Sequence, residues 1–376
     1  MRGILLVFPH DMGTIDSGIK ARVSALLRYW HEREFVVDQV SFLECENLKD
    51  FGNSNPYIRK RFNLPMPHSK EGLLAKARRV MGFKKKESDP TTIPNWVSDE
   101  ARKSFNEIIR TMQYECLVIS YLYWDQLSRE VPEGIRRIAM VEDLLSLNIG
   151  VKREVNRYAC LQDEFSRLCR YDRSMFISPD EEYLYSRLGG GTNSVLVPPF
   201  LDQVAVEDTE KEFDLLFFGS INRFNVEGLA WFVEHVLPRL PKSTRLLVAG
   251  GVARTVDKHL SIETLERVVD TNELYSRTRI SICPLLGGTG VKIKVLESLA
   301  SGVPVVGTSW ASIGLLSKVA NGCLIADTIE AFSDAIVSLI ADETKRKELS
   351  AQALSYIASA HSTERAYSTL DSVFRQ

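Results

Sequence analysis

The chain has 376 residues, 44% of them hydrophobic and 26% charged, with 47 Lys and Arg against 49 Asp and Glu for a net charge of −2. That length suits two ordinary domains, and the near-neutral balance gives no reason to expect nucleic acid as a partner. No apolar run reaches membrane-spanning length, residues 1–9 are too short for a secretion signal, and six cysteines without a CxxC pair read as reduced core residues of a cytoplasmic protein rather than a zinc site or a disulfide framework.

In chain order, residues 4–8 are predicted as a buried strand, 21–30 as an amphipathic helix, and 36–42 and 117–121 as further strands. Short strands follow at 137–141 and 174–177, with a long helical stretch around 151–170 between them. Pro198 and Pro199 end this half, and the polar run 202–212 reads as a linker. The rhythm then restarts: strand 214–218, helix 225–236, strand 245–249, an apolar segment within 262–269, strand 279–283, a helix holding Glu297, and strand 304–306. Three helices, 329–341, 344–360 and 363–374, form the tail. Strands alternating with helices predict parallel sheets covered on both faces, and two such runs predict two Rossmann-like α/β domains facing one cleft.

The charge is unevenly spread. Between Tyr57 and Lys86 there are ten Lys and Arg and one acid, Glu71, so this segment carries +9 and the rest −11. Lys76, Arg78, Arg79, Lys84, Lys85 and Lys86 surround Leu73, Leu74, Ala77, Val80, Met81 and Phe83, which helical spacing collects largely on one side. Such a helix suits an anionic membrane surface; a solvated basic face is the alternative.

The most informative stretch runs from Cys283 to Val306. It reads as a strand end, the glycine loop Gly287-Gly288-Thr289-Gly290, a helix beginning near Val291, and a second apolar strand. Glycines allow a tight turn whose N–H groups face outward, and the helix adds its positive end, so the loop suits a diphosphate. Lys292 and Lys294 are predicted in the first helical turn, where cations oppose the helix dipole, a cost that an anionic ligand would offset. Glu297, one turn beyond Lys294, can accept from ribose hydroxyls. An ordinary strand–turn–helix with solvated lysines is the plain alternative.

These residues also carry a resemblance. The glycine loop, then Lys, two residues and Glu, then small-small-Gly-x-Pro-Val-Val, resembles the donor signature of the GT-B glycosyltransferases, in particular the retaining family 4. The resemblance implies a domain 1–200 on the acceptor side, a nucleotide-sugar-binding domain 201–360, and a last helix, 361–376, that packs back on the first domain. Many members carry a first Glu separated by seven residues from the second; Thr289 stands at that place here. The loop Gly13–Gly18 is similar to the family's N-domain loop, where glycines let main chain approach a ligand, which brings in Gly18; a plain β–α turn is the other reading. In Phe218–Asn225 the resemblance places Arg223 against donor phosphates, while Asn225 stands roughly where a Lys is expected and Lys294 supplies the charge. Glu142 and Asp143, at the end of strand 137–141, stand where the family commonly has a His beside the transferred sugar. A carboxylate there can stabilise oxocarbenium character or hold sugar hydroxyls; a solvated loop acid, or a helix N-cap by Asp143, is the alternative. In the run Ser178-Pro179-Asp180-Glu181-Glu182, a capping box for the following helix is the expected role.

The resemblance implies transfer of a hexosyl group from a nucleoside diphosphate sugar to a glycan or lipid-linked acceptor, with retention, in cell-surface polysaccharide synthesis. No cofactor and no metal are expected, and the location is cytoplasmic or at the inner membrane face. A non-catalytic GT-B-like scaffold that binds nucleotide-sugar or glycan is the second reading, motivated by the missing first Glu and the missing His. A nucleotide-sugar epimerase is the third.

Overall fold

The computed structural model describes residues 2–12, 18–42, 55–65, 91–149, 156–203, 211–257, 262–268 and 270–375. They form two compact units, one drawn from residues 1–15, 22–177 and 181–196, the other from 16–21, 178–180 and 197–376.

In the first unit the described strands are β1 (Arg2–Val7), β2 (Phe35–Ser41), β3 (Ile58–Asn63), β4 (Cys116–Ser120), β5 (Arg136–Val141), β6 (Arg173–Phe176) and β7 (Ser194–Leu196). Their order is β3-β2-β1-β4-β5-β6-β7, and every pairing is parallel. The central strands are apolar throughout because helices cover both faces; Ile4 to Val7 and Cys116 to Ile119 are all buried. The helix Gly18–Glu32 buries Val23, Leu26, Leu27 and Trp30, the three-and-four spacing of one helical stripe. The order of the strands reverses between β1 and β4, the place where open α/β sheets take ligands.

Two elements of this unit differ from the sequence expectation. The basic segment opens as a strand, β3, at the sheet edge. Arg59 reaches back from it to the buried Asp38 through Nε at 2.9 Å and Nη2 at 2.6 Å, and Tyr114 donates to the same carboxylate at 2.7 Å. Exposed Arg59 and Lys60 give the edge a charge that discourages strand addition. Lys76, Arg78, Arg79, Lys84, Lys85 and Lys86 lie outside the described residues. The helix Asp99–Thr111, absent from the expectation, is capped by Ser98, whose Oγ accepts from Ala101 N at 3.0 Å. It buries only the narrow stripe Ala101, Phe105 and Ile109.

The second unit repeats the plan. Its described strands are β8 (Phe213–Phe218), β9 (Leu246–Ala249), β10 (Glu263–Leu265), β11 (Thr278–Cys283), β12 (Val305–Gly307) and β13 (Cys323–Ile325), all parallel, in the order β10-β9-β8-β11-β12-β13. Here the order reverses between β8 and β11. The tail helices Ile329–Ala341, Glu343–Ala360 and Thr363–Phe374 begin at Thr328, Asp342 and Ser362, each an N-cap whose side chain accepts from the first turn. All three group with the second unit. Tyr367 meets Phe200 edge-on at 5.9 Å within it.

Candidate donor site

Two loops leave the second sheet at its switch point, one after β8 and one after β11. In the β11 loop, Gly288 has φ +116° and Gly290 φ +67°, backbone that side chains with a Cβ rarely adopt. A Cβ on Gly287 would stand 3.2 Å from the Phe224 ring, so bare main chain lies against that ring. The helix Ile293–Ala300 follows directly, and among the described residues no side chain caps its first turn. Its leading N–H groups therefore remain available for an anion.

The two lysines divide their labour, which corrects the expectation that both sit in the helix. Lys292 is the N-cap residue and is buried. Its Nζ turns back to donate to the carbonyls of Thr289 at 3.1 Å and Gly290 at 2.9 Å, so it braces the loop from within. Lys294 lies in the first turn, as expected. Its Nζ donates to Asn225 Oδ1 at 2.7 Å and sits 4.5 Å from the centre of the Phe217 ring. Burial pulls its pKa below the ordinary lysine range. Asn225 in turn donates from Nδ2 to Ser220 O at 2.8 Å. The side chain that replaces the expected Lys thus holds an ammonium from the first turn of the neighbouring helix.

Glu297 stands on the same helix, and burial pushes its carboxyl up to about 7, with the nearby Tyr275 hydroxyl, which donates to Lys294 O at 3.2 Å, opposing the shift. Gly18 falls among the residues of this unit; a Cβ on it would come 2.8 Å from Ile293 Cβ, so glycine alone fits there. Arg223, at the start of the helix Arg223–Trp231, is half exposed and pairs with Glu227 at 2.6 Å. The structure therefore gathers Gly287, Gly288, Thr289, Gly290, Lys294 and Glu297 around one loop and helix start, while Arg223 is engaged on the surface.

In the first unit, Glu142 and Asp143 follow β5 at the carboxyl edge of the sheet. Glu142 is buried, so the solvated-acid alternative does not hold for it. Arg22, on the helix Gly18–Glu32, donates from Nη1 to Glu142 Oε2 at 2.7 Å, and both side chains are shielded from water. Glu142 Oε1 and Arg22 Nη2 are buried with no hydrogen-bond partner among the described residues. Burial raises the Glu142 carboxyl pKa, Arg22 opposes the shift, and Asp143 adds to it. Asp143 accepts from Asn148 Nδ2. The cap of the short helix Leu145–Ile149 comes from Glu164, whose carboxylate accepts from Leu145 N at 2.8 Å and Ser146 N at 2.9 Å. Burial lifts that carboxyl to about 7. Arg22 and Glu164 were not singled out in the sequence, where neither stands in a motif.

Residues 212–342 match the family described as Glycosyl transferases group 1. That stretch lies within the second unit. Across the whole chain the fold is that of the GT-B glycosyltransferases. It is similar to sucrose-phosphate synthase of Thermosynechococcus elongatus, with a TM-score of 0.73 and 15% identity over 100% of this chain and 99% of that one. It is also similar to a mutant TarM of S. aureus solved with UDP, fondaparinux and α-GlcNAc-glycerol, at a TM-score of 0.71 and 9% identity over 100% of both chains. The HepE protein of Anabaena, solved with UDP-glucose, gives 0.69 and 10%, again over 100% of both. An uncharacterized 44.6 kDa protein of the Klebsiella pneumoniae cps region is 25% identical over 221 residues, 53% of this chain. The match spans about half that relative's length, 55%. In the second unit the glycine loop and Lys294 occupy the switch point of the sheet, and among the described residues no helix is long and apolar enough to cross a membrane.

Proposed function

We propose that the chain transfers a hexosyl group from a nucleoside diphosphate sugar to a hydroxyl of a glycan or lipid-linked saccharide, with retention, in the synthesis of a cell-surface polysaccharide. The observation that carries the reading is the uncapped helix start at Ile293, flanked by the Gly287–Gly290 loop and the Lys294 ammonium. As the bond to the sugar breaks, negative charge grows on the departing diphosphate. Fixed N–H dipoles and a held ammonium oppose that charge without reorganising. Glu297 would accept from the ribose. Arg223 would reach a phosphate by leaving Glu227, an exchange that an exposed pair makes at little cost. Glu142 and Asp143 would face the transferred sugar.

Relatives solved with UDP and UDP-glucose support the donor class, and the cps-region relative supports the polysaccharide role. The scheme assigns charge compensation to protein groups and gives a metal no part, so EDTA is expected to leave turnover unchanged. Contact with an anionic inner membrane face through Lys76, Arg78, Arg79 and Lys84–Lys86 belongs to the same proposal, with vesicle co-sedimentation as its check. The second reading, a scaffold that binds donor without transfer, rests on Thr289 standing in place of the first carboxylate.

Calorimetric titration with UDP and UDP-glucose, followed by an assay for release of UDP, tests the proposal. Binding with slow UDP release into water supports a transferase. Binding without any release favours the scaffold. No binding of UDP, ADP or GDP, alone or as sugar conjugates, removes the donor site.

A further inference from the structure

The carboxyl edge of the first sheet carries a group of rings that the donor reading leaves unused. Phe42 follows β2 and Tyr121 to Trp124 follow β4, so they emerge on one side of the parallel sheet, next to its switch point. Trp96 joins them through its main chain, whose N–H donates to Tyr123 O at 3.0 Å. The rings are layered. Trp96 lies on Tyr123 with centroids 3.9 Å apart and planes 8° from parallel. Trp124 meets Trp96 edge-on at 5.8 Å and stacks on Phe42 at 3.6 Å. Tyr121 stands 6.4 Å beyond Tyr123.

The lower rings are core, since Phe42 and Trp124 are buried, but Trp96 at the top is 37% exposed. A core needs the lower layer to be dry and gains nothing from an indole left partly in water. Tyr121 holds φ +65°, a left-handed conformation that a bulky residue adopts only under constraint, and such positions cluster at ligand sites. Polar groups border the rings. Asp143, which accepts from Asn148, follows β5, the parallel neighbour of the β4 strand that Tyr121 and Tyr123 follow; burial raises the pKa of both phenols and the Asp143 charge adds to it.

The chemistry of the surface distinguishes three kinds of occupant. A nucleotide would bring its phosphates toward the Asp143 carboxylate, which repels them, while the Arg22 charge is already taken up by Glu142. A second protein chain needs a much broader apolar area than one indole and one phenol supply. A pyranose ring fits both halves of the surface: its C–H face stacks on an aromatic face, and its hydroxyls donate to a carboxylate and bond to an amide. We propose that Trp96 and Tyr123 form a stacking platform for a sugar ring of the acceptor glycan, with Asp143 and Asn148 taking its hydroxyls. This rests on the glycosyltransferase reading above and adds the acceptor's chemical class, a neutral saccharide engaged through ring stacking.

Saturation-transfer NMR with maltotriose, cellotriose and chitotriose tests it on the full chain, with UDP titrated into the same samples. The expected result is transfer to ring C–H protons of at least one triose, at least about ten-fold weaker in Trp96→Ala and substantially kept in Trp96→Phe, which retains a ring. Equal transfer from wild type and Trp96→Ala, or none from either, overturns the platform. UDP binding is read separately, so loss of the donor reading and loss of the platform are distinguishable. Should Trp96→Ala melt at a lower temperature, Trp96→Leu, which keeps apolar volume without a stacking face, carries the comparison, and binding by Trp96→Leu equal to wild type also overturns it.

Discussion

Lys294 Nζ donates to Asn225 Oδ1 at 2.7 Å, joining the start of the helix that follows β11 to the start of the helix that follows β8. The ammonium is held at the switch point by a neutral partner, so its charge is not cancelled there and is free to act on an anion. Replacing Lys294 with Ala should weaken UDP binding by about 1.5–3 kcal/mol, the worth of one charge-assisted contact. Asn225→Ala should weaken it less, because the ammonium stays but loses its anchor. Calorimetry that finds UDP affinity unchanged in both variants would remove Lys294 from the donor site.

Glu297 gives the donor site a pH dependence with a definite sign. Its carboxyl titrates at about 7 in the folded chain against an ordinary 4.5, so folding favours the protonated form. The charged carboxylate is therefore a cost to the fold, fully present above pH 7 and gone below the ordinary carboxylate range. Glu297→Gln should raise stability at pH 8 by on the order of 2 kcal/mol and leave it nearly unchanged at pH 4. A ribose that donates to the carboxylate reverses the preference, so UDP should bind wild type more weakly at pH 6 than at pH 8. A flat affinity profile that matches Glu297→Gln would argue against the ribose contact.

His361 offers a second titration, remote from the chemistry. Its Nδ1 stands 2.6 Å from Pro199 O, which can only accept, so Nδ1 carries the proton and Nε2 accepts from Tyr356 at 2.9 Å. Tyr356 O also accepts from Leu316 N at 3.0 Å, which completes a chain from the loop at 316 to the prolines at the unit boundary. Burial lowers the His361 pKa to about 4 from 6.5. A folded-state pKa below the unfolded value means stability present above pH 6.5 and lost as pH falls toward 4. His361→Gln should be less stable than wild type at pH 7.5, and its melting temperature should fall less between pH 6.5 and 4. Parallel melting curves for both proteins across that range would show that His361 does not drive the loss.

Much of this was legible in the sequence because parallel strands buried on both faces are short unbroken apolar runs. Residues 4–8, 117–121, 214–218 and 279–283 announced themselves that way, and the tail helices 329–341 and 363–374 matched residue for residue through their caps and periodicity. β3 and β10 were not recognised as strands because they are edge strands, where the IRKRFN and ETL sequences face water and carry no apolar run. The helix Asp99–Thr111 escaped because its buried stripe is one residue wide among charges. At the site, glycine spacing revealed the loop, since φ near +116° and +67° demands glycine. The role of Lys292 stayed hidden because a side chain that folds back on its own loop leaves no pattern in the sequence. Arg22 was equally silent: a buried cation is visible only once its partner, 120 residues away, is beside it.

That pair decides how Glu142 must be tested. On the sequence alone, Glu142→Gln is expected to fold normally, bind donor, and turn over at least about ten-fold more slowly, as when a positioned catalytic group is lost. With Arg22 Nη1 2.7 Å from Glu142 Oε2 and both side chains buried, the amide also leaves a guanidinium without its counter-charge. Breaking such a pair from one side typically costs about 3–5 kcal/mol, whereas replacing both partners is often close to neutral. Slow turnover by Glu142→Gln therefore has two possible causes, catalysis or packing. The double variant Arg22→Met with Glu142→Gln separates them, because it removes the orphaned charge while keeping the shape. It should melt nearer to wild type than Glu142→Gln does, and release UDP from UDP-glucose at least about ten-fold more slowly than wild type if the carboxylate acts on the sugar. Recovery of both stability and UDP release in the double variant would make the pair a structural clasp of the helix Gly18–Glu32 to β5, and would pass the role beside the sugar to Asp143.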